Sequence, residues 1–277
     1  MDIQTQKVRT QMSVLLVIPA RYQSTRYPGK PLAMLTGASG QAQSLIERSW
    51  RAAIQVQGVD RVVVATDDTR IQSAAQAFGA EVVMTSTDCA NGTERCAEAH
   101  AVLGGGYDIV VNLQGDAPLT PHWFVEGLID GLRAAPNADI ATPVLCCEGA
   151  MLRSLQADRR AGRVGGTTAV FAQDRRALYF SKEVIPFTAA PYADDAPTPV
   201  FHHVGVYAYR PDALSAYPGW ATGPLEQLEG LEQLRFMENG RDVLCVEVMA
   251  KGRQFWELNN PEDVVKIEAM MAEMGLD

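Results

Sequence analysis

The chain of 277 residues carries 24 Lys+Arg against 33 Asp+Glu, a net charge of −9, with 47% hydrophobic and 21% charged residues. This is the composition of a soluble globular enzyme that can bury a sizeable core, and it excludes a disordered or fibrous chain. The acidic balance argues against non-specific nucleic-acid binding, which rests on basic surface. No apolar run approaches the ~20 residues of a membrane span, so neither nucleic acid nor membrane is expected as a partner. The five cysteines, at 89, 96, 146, 147 and 245, form no CxxC pair. They suggest neither a disulfide framework nor a zinc site and read as reduced thiols in a cytoplasmic protein.

In chain order, residues 1–12 read as an N-terminal tail, and 13–277 as a single domain. Residues 14–18 form a β-branched and leucine run of the kind found in strands buried on both faces. A Gly/Pro-rich loop follows to Pro31. Residues 44–56 have helical spacing, 61–65 repeat the buried-strand pattern, and 69–78 read as a helix stopped by Gly79. A short strand over 81–84, a helix over 94–103 and a strand over 108–113 complete a strand–helix alternation across the first ~120 residues. That alternation predicts an α/β fold with a mostly parallel central sheet and helices on both faces. The later half is less regular. Strands are expected over 139–145, 204–209 and 242–248, and a mobile Arg/Gly-rich loop over 154–166. A Pro/Ala/Asp connection spans 186–199. One strong helix is expected over 225–238, and a last helix over 261–274 with Pro261 in its first turn.

Ligands of such sheets sit outside the carboxyl ends of the strands. The loops after the first, second and fourth strands would therefore gather Arg21, Arg26, Lys30, Asp67 and Asp116 around one crevice. The first loop, PARYQSTRYPGKPL over 19–32, places three cations and two hydroxyls where a polyphosphate needs donors and countercharge. It is not a Walker A sequence, and taken alone it is equally an exposed basic turn. Asp116, in Gln114-Gly115-Asp116, is placed to hold Mg²⁺ against a phosphate, although Gly-Asp also makes ordinary turns.

These motifs, together with ATDD at 65–68, NGTER at 91–95 and NLQGD at 112–116, resemble those of the 3-deoxy-manno-octulosonate (Kdo) cytidylyltransferases. The similarity continues through LYFS at 178–181, HVGVY at 203–207, and Pro224-Leu225-Glu226 followed by LEQLR at 231–235. It covers nearly the whole chain after residue ~13. The resemblance implies a nucleotide-diphospho-sugar transferase fold, commonly a homodimer, and a place in lipopolysaccharide biosynthesis. The implied reaction transfers CMP from CTP to the anomeric hydroxyl of an acidic 2-keto-3-deoxy sugar, with Mg²⁺ as cofactor and release of pyrophosphate.

By motif, the resemblance assigns catalysis to Arg21, Lys30 and Asp116. It assigns nucleotide binding to Pro19, Ala20, Arg21, Ser24, Arg26, Lys30, Asn91, Gly92 and Thr93. Sugar binding falls to Arg95, whose guanidinium would meet the sugar carboxylate, and to Gln114, His203, Tyr207, Glu232 and Gln233. Metal binding falls to Asp116 and Asn259. Three departures from the family pattern stand out. Ala117 replaces the usual Glu of QGDEP. Thr168 replaces a Lys. Asn259 stands where the family's VDTPED carries a second metal-binding Asp, which lowers the expected Mg²⁺ affinity unless Glu257 or another carboxylate moves in. Three readings follow: Kdo activation with an adjusted metal site, activation of a related 2-keto-3-deoxy acid, or a non-catalytic CTP- or sugar-binding homologue.

Overall fold

The computed structural model describes residues 12–24, 26–116, 118–254 and 256–277. Apart from Met12, the expected tail lies outside the described residues, as does Ala117. Met12 packs on the first of two large cores, and its carbonyl accepts from Arg133 at 3.3 Å.

The run at 14–18 lies within β1 (Val14–Ala20), followed by a 3-10 turn at Lys30–Leu32 and a small hairpin, β2 (Met34–Thr36) and β3 (Ala42–Ser44). Then come α1 (Leu45–Ala53), β4 (Arg61–Thr66), α2 (Thr69–Ala77), β5 (Glu81–Met84), α3 (Gly92–Val102), β6 (Ile109–Leu113) and α4 (His122–Ala134). The later half holds β7 (Ile140–Glu148), α5 (Gly149–Arg160), β8 (Thr167–Phe171), β9 (Ala177–Ser181), β10 (Pro197–His203) and β11 (Val206–Tyr209). It ends with α6 (Pro211–Ala216), α7 (Pro224–Glu229), α8 (Gln233–Glu238), β12 (Val243–Glu247) and α9 (Asp263–Met274).

Ten strands form one sheet, in the order β5-β4-β1-β6-β11-β7-β10-β8-β9, with β12 beside β7. The pairings set β9, β10 and β11 against the direction of the other seven, so the sheet is mixed and mostly parallel in strand direction. β1 shows why its sequence is apolar throughout. Val14, Leu16, Ile18 and Ala20 face one core while Leu15 and Val17 face the other. On the first face pack α1, α2 and α4; on the second, α3, α6 and α8. α9 closes a third cluster against Leu35, Leu45, Leu119 and Leu258.

Local chemistry sets the helix starts. Ser44 caps α1 by accepting from Glu47 N–H at 3.3 Å, Asp68 caps α2 through Arg70 N–H at 2.9 Å, and Asn91 caps α3 through Glu94 N–H at 2.9 Å. β10 and β11 follow one another along β7, interrupted at Val204-Gly205, where Val206 N–H bonds Val204 O at 2.8 Å.

Three sequence expectations are corrected. The segment 154–166 is helical through Arg160, because Leu152 and Leu155 reach a small core with Cys147 and Val200. Arg159 donates to Glu183 and to the Arg163 carbonyl, and Arg163 pairs with Asp158 at 2.6 Å, so these arginines are tied to their own neighbourhood. The single helix over 225–238 is instead two, α7 and α8, separated by Gly230 in the left-handed region at φ 62. Leucine spacing misleads there because Leu228 is 83% exposed and packs no core. The last helix begins at Asp263, with Pro261 just ahead of it. All five cysteines are free thiols, and burial raises Cys147 and Cys245 to about 12.

Candidate active site

The crevice opens where β1, β4 and β6 end. Gly115 is needed at its floor: a side chain there would meet the Pro19 carbonyl at 3.2 Å. That close approach carries Asp116 beside the loop after β1, where Lys30 Nζ donates to Asp116 Oδ2 at 2.8 Å. Gly92, the first residue of α3, sits similarly against Pro19. Asn91, Gly92 and Thr93 thus bring the start of α3 to the end of β1, an arrangement suited to an anion.

The wall formed by the loop after β1 is open. Arg21 and Arg26 are exposed, and Arg21 makes one long contact of 3.4 Å to the Ala90 carbonyl. Ser24 Oγ accepts from Tyr27 N–H at 3.3 Å and helps turn the loop. Arg70 stacks over the Tyr22 ring at 3.3 Å. Arg70 is also paired with Asp68 at 2.6 Å, whereas Arg21 and Arg26 are free enough to follow a phosphate chain.

The opposite wall is buried and already bonded. Glu232 accepts from Thr93 N–H at 3.1 Å and from Thr93 Oγ1 at 2.5 Å. Burial pushes the Glu232 carboxyl above its ordinary range, against the two Thr93 bonds. Tyr207 donates to Gln233 Oε1 at 3.0 Å, while the buried Gln233 Nε2 has no partner among the described residues. His203 Nε2 lies 2.8 Å from Thr142 Oγ1, and burial, followed by the charge of His202, lowers the imidazole to about 3. His203 is therefore neutral at physiological pH. Gln114 lies 4.0 Å from where a Cβ on Gly205 would project.

Arg95 and Asp67 are not free members of the crevice. The buried Arg95 guanidinium donates to Thr85 Oγ1 at 2.5 Å, to the Ser86 carbonyl at 3.4 Å and to Asp67 Oδ2 at 3.2 Å. A sugar carboxylate would share the Arg95 guanidinium with Asp67 and Thr85.

With this geometry in place, comparison with known proteins decides the family. A cytidylyltransferase family profile matches residues 15–243. The 3-deoxy-manno-octulosonate cytidylyltransferase of Maricaulis maris (strain MCS10) is 48% identical over 95% of this chain and 99% of its own length. This chain belongs to the 3-deoxy-manno-octulosonate cytidylyltransferase family. The enzyme of that name from Chlamydia pneumoniae is 40% identical over 91% of each chain, and that from Zea mays 39% over 92% of this chain and 80% of its own. A solved structure described as CMP:2-keto-3-deoxy-manno-octonic acid synthetase complexed with CTP superposes with a TM-score of 0.79 at 35% identity, covering 95% of this chain and 99% of that one.

For this cytidylyltransferase two of the three departures, Thr168 and Asn259, have local explanations. Thr168 is buried, donates to the Glu183 carbonyl at 2.7 Å and accepts from Ile185 N–H at 3.2 Å, so it fastens the turn after β9. Asn259 Nδ2 donates to Glu257 Oε2 at 3.3 Å, and Leu258 N–H donates to the Asp116 carbonyl at 3.0 Å. The segment before α9 is thereby stitched to the loop bearing Asp116.

Among the described residues no cluster of three or more His, Cys, Asp or Glu could cage a metal. The nearby donors are hard carboxylate oxygens. That set fits Mg²⁺, which is commonly held by one or two carboxylates plus substrate phosphates and water. Asn112 was missed in the sequence. It is fully buried in β6, beside Gly92, and its side chain has no partner among the described residues. The signal was a polar residue inside the apolar run Ile109–Leu113.

Proposed function

We propose that the chain transfers CMP from CTP to the anomeric hydroxyl of Kdo. The sugar oxygen forms a bond to the α-phosphorus as its hydroxyl proton passes to solvent, and the bond to the β-phosphate bridging oxygen breaks, so that pyrophosphate leaves with the electron pair. The observation that carries this reading is that exposed Arg21 and Arg26 and the Lys30–Asp116 pair stand at the strand ends, with the buried Tyr207–Gln233 pair on the neighbouring β11 side. It occurs in a chain that matches a Kdo cytidylyltransferase over 95% of its length.

Arg21, Arg26 and Lys30 hold the triphosphate, and Lys30 neutralises charge gathering on the departing pyrophosphate. Pro19, Ala20, Ser24 and the start of α3 receive the nucleotide. Gln233 Nε2 donates to a sugar hydroxyl. Leaving that buried amide unsatisfied costs about 1–3 kcal/mol, which sugar binding recovers. Tyr207 stays protonated, because burial raises its phenol well above the ordinary value, and it orients Gln233. Glu232 fixes Thr93, and neutral His203, Gln114 and Arg95 complete the sugar side. Mg²⁺ held by Asp116 would neutralise phosphate charge and orient the α-phosphate. Catalysis by the chain is then mainly positioning and charge neutralisation. The working form is a homodimer in the cytoplasm, supplying activated sugar for lipopolysaccharide.

The test is pyrophosphate release by purified protein with CTP, Mg²⁺ and Kdo, against mixtures lacking each. Release that needs all three is expected. Release with another 2-keto-3-deoxy acid but not Kdo would move the assignment to that sugar, and CTP binding without release to any of them would overturn it.

A further inference from the structure

The side chain at 259 is an amide, so the charge that would balance a divalent cation must come from elsewhere. Asp116 alone has to serve a site already facing Lys30, at 2.8 Å, with Arg21 and Arg26 in the same loop. A single carboxylate among three cations is a poor Mg²⁺ site before the nucleotide arrives. Glu257 lies two residues before Asn259, on the segment that Leu258 N–H fastens to the Asp116 carbonyl at 3.0 Å. The residue is exposed in surface area, yet burial among neighbouring groups, followed by the charge of Asp116, raises its carboxyl above the ordinary value. One carboxylate oxygen lies 3.9 Å from where a Cβ on Gly205 would project, at the point that Gln114 also approaches. The other oxygen accepts from Asn259 Nδ2 at 3.3 Å, and the charges nearest to Glu257 include Asp116, Lys30 and Arg26.

We propose that Glu257 supplies the second carboxylate of the divalent-cation site shared with Asp116, and that Asn259 is a positioning residue whose amide aims Glu257. The usual roles are displaced by two positions along the chain. An amide that donates to one carboxylate oxygen leaves the other free for a cation, and such outer contacts commonly change metal affinity by about 10–100-fold. The inference rests on the metal role proposed above for Asp116.

The experiment titrates Mn²⁺ into protein saturated with α,β-methylene-CTP, which cannot be turned over, and reads free Mn²⁺ by electron paramagnetic resonance. Glu257→Gln should weaken Mn²⁺ binding at least about tenfold, with Glu257→Asp intermediate. Asn259→Ala should weaken it by a smaller factor, and Glu257→Gln combined with Asn259→Asp should recover much of the loss. Binding of the analogue without metal should change less than about twofold in each variant, which also reports intact folding; Glu257→Asp tests the same point with charge and fold kept. Wild-type Mn²⁺ affinity in Glu257→Gln, alongside lost affinity in Asp116→Asn, overturns the role of Glu257 alone. Unchanged affinity in both variants removes the metal role of Asp116, and this proposal with it.

Discussion

The two walls of the crevice are built on opposite principles. The wall proposed above to take the phosphates is exposed and sparsely bonded, with Arg21 and Arg26 reaching into solvent. The wall proposed to take the sugar is buried and already bonded, through the Thr93–Glu232 and Tyr207–Gln233 pairs. The difference follows from what each wall must recognise. A polyanion is drawn in by charge over many ångströms, so its partners can stay hydrated and adapt. A sugar hydroxyl competes with water on nearly equal terms, so its partners must be desolvated and fixed beforehand to discriminate at all.

The comparison breaks most visibly at Lys30, which spans both regimes as a half-buried cation on Asp116. Lys30→Ala should lower kcat by about a thousandfold while CTP binding weakens far less, as for loss of one preorganised transition-state donor. Equal losses in kcat and CTP affinity, read from steady-state and equilibrium-binding data, would reduce Lys30 to a ground-state contact.

On the buried wall, Gln233→Leu should raise KM for the sugar about 10–100-fold and leave KM for CTP within about twofold. A matching rise in both would mean that the walls are not separable.

The buried wall also predicts a pH dependence of stability. His203 is held to about 3 in the folded chain against 6.5 in the unfolded one, chiefly by burial. As pH falls below 6.5 the unfolded chain gains a proton that the folded chain refuses. Stability is therefore complete above that value and is lost progressively down to about 3. At pH 5 the loss from this residue should be about 2 kcal/mol. Urea unfolding at pH 7 and pH 5 should show that much less pH sensitivity in His203→Gln than in the wild type; equal sensitivity would contradict a buried neutral imidazole.

The smallest effect is expected on the open wall. Arg26→Ala should raise KM for CTP by no more than about tenfold, with a difference that shrinks as salt is added. A salt-independent loss would show that Arg26 closes into a desolvated contact.

The same contrast marks what could be read in advance. β1 and β4 were legible because strands buried on both faces leave Val/Ile/Leu runs, and β6 because Asn112 alone interrupts its run; the edge strand β5 showed only through Val82-Val83. The phosphate loop was legible because its charges lie within ten residues of one another. The sugar wall depends on pairs such as Thr93 with Glu232, 139 residues apart, and no local pattern announces them. Family motifs named those residues, but not that Arg95 is already engaged by Asp67 and Thr85. α4 passed unnoticed although Phe124, Val125, Leu128, Ile129 and Leu132 are spaced for a core face, since two glycines interrupt its pattern. α5 was hidden by its charge, with few apolar residues to reveal a buried side.

The central claim is that this crevice joins a CTP phosphate to a Kdo oxygen. The most direct measurement is phosphorus NMR of purified protein with CTP, Kdo and Mg²⁺. A phosphodiester resonance of a CMP–sugar should appear in step with pyrophosphate, one for one, and only when the sugar is present. Pyrophosphate accompanied by free CMP, or a CTP spectrum unchanged by the sugar, would contradict it.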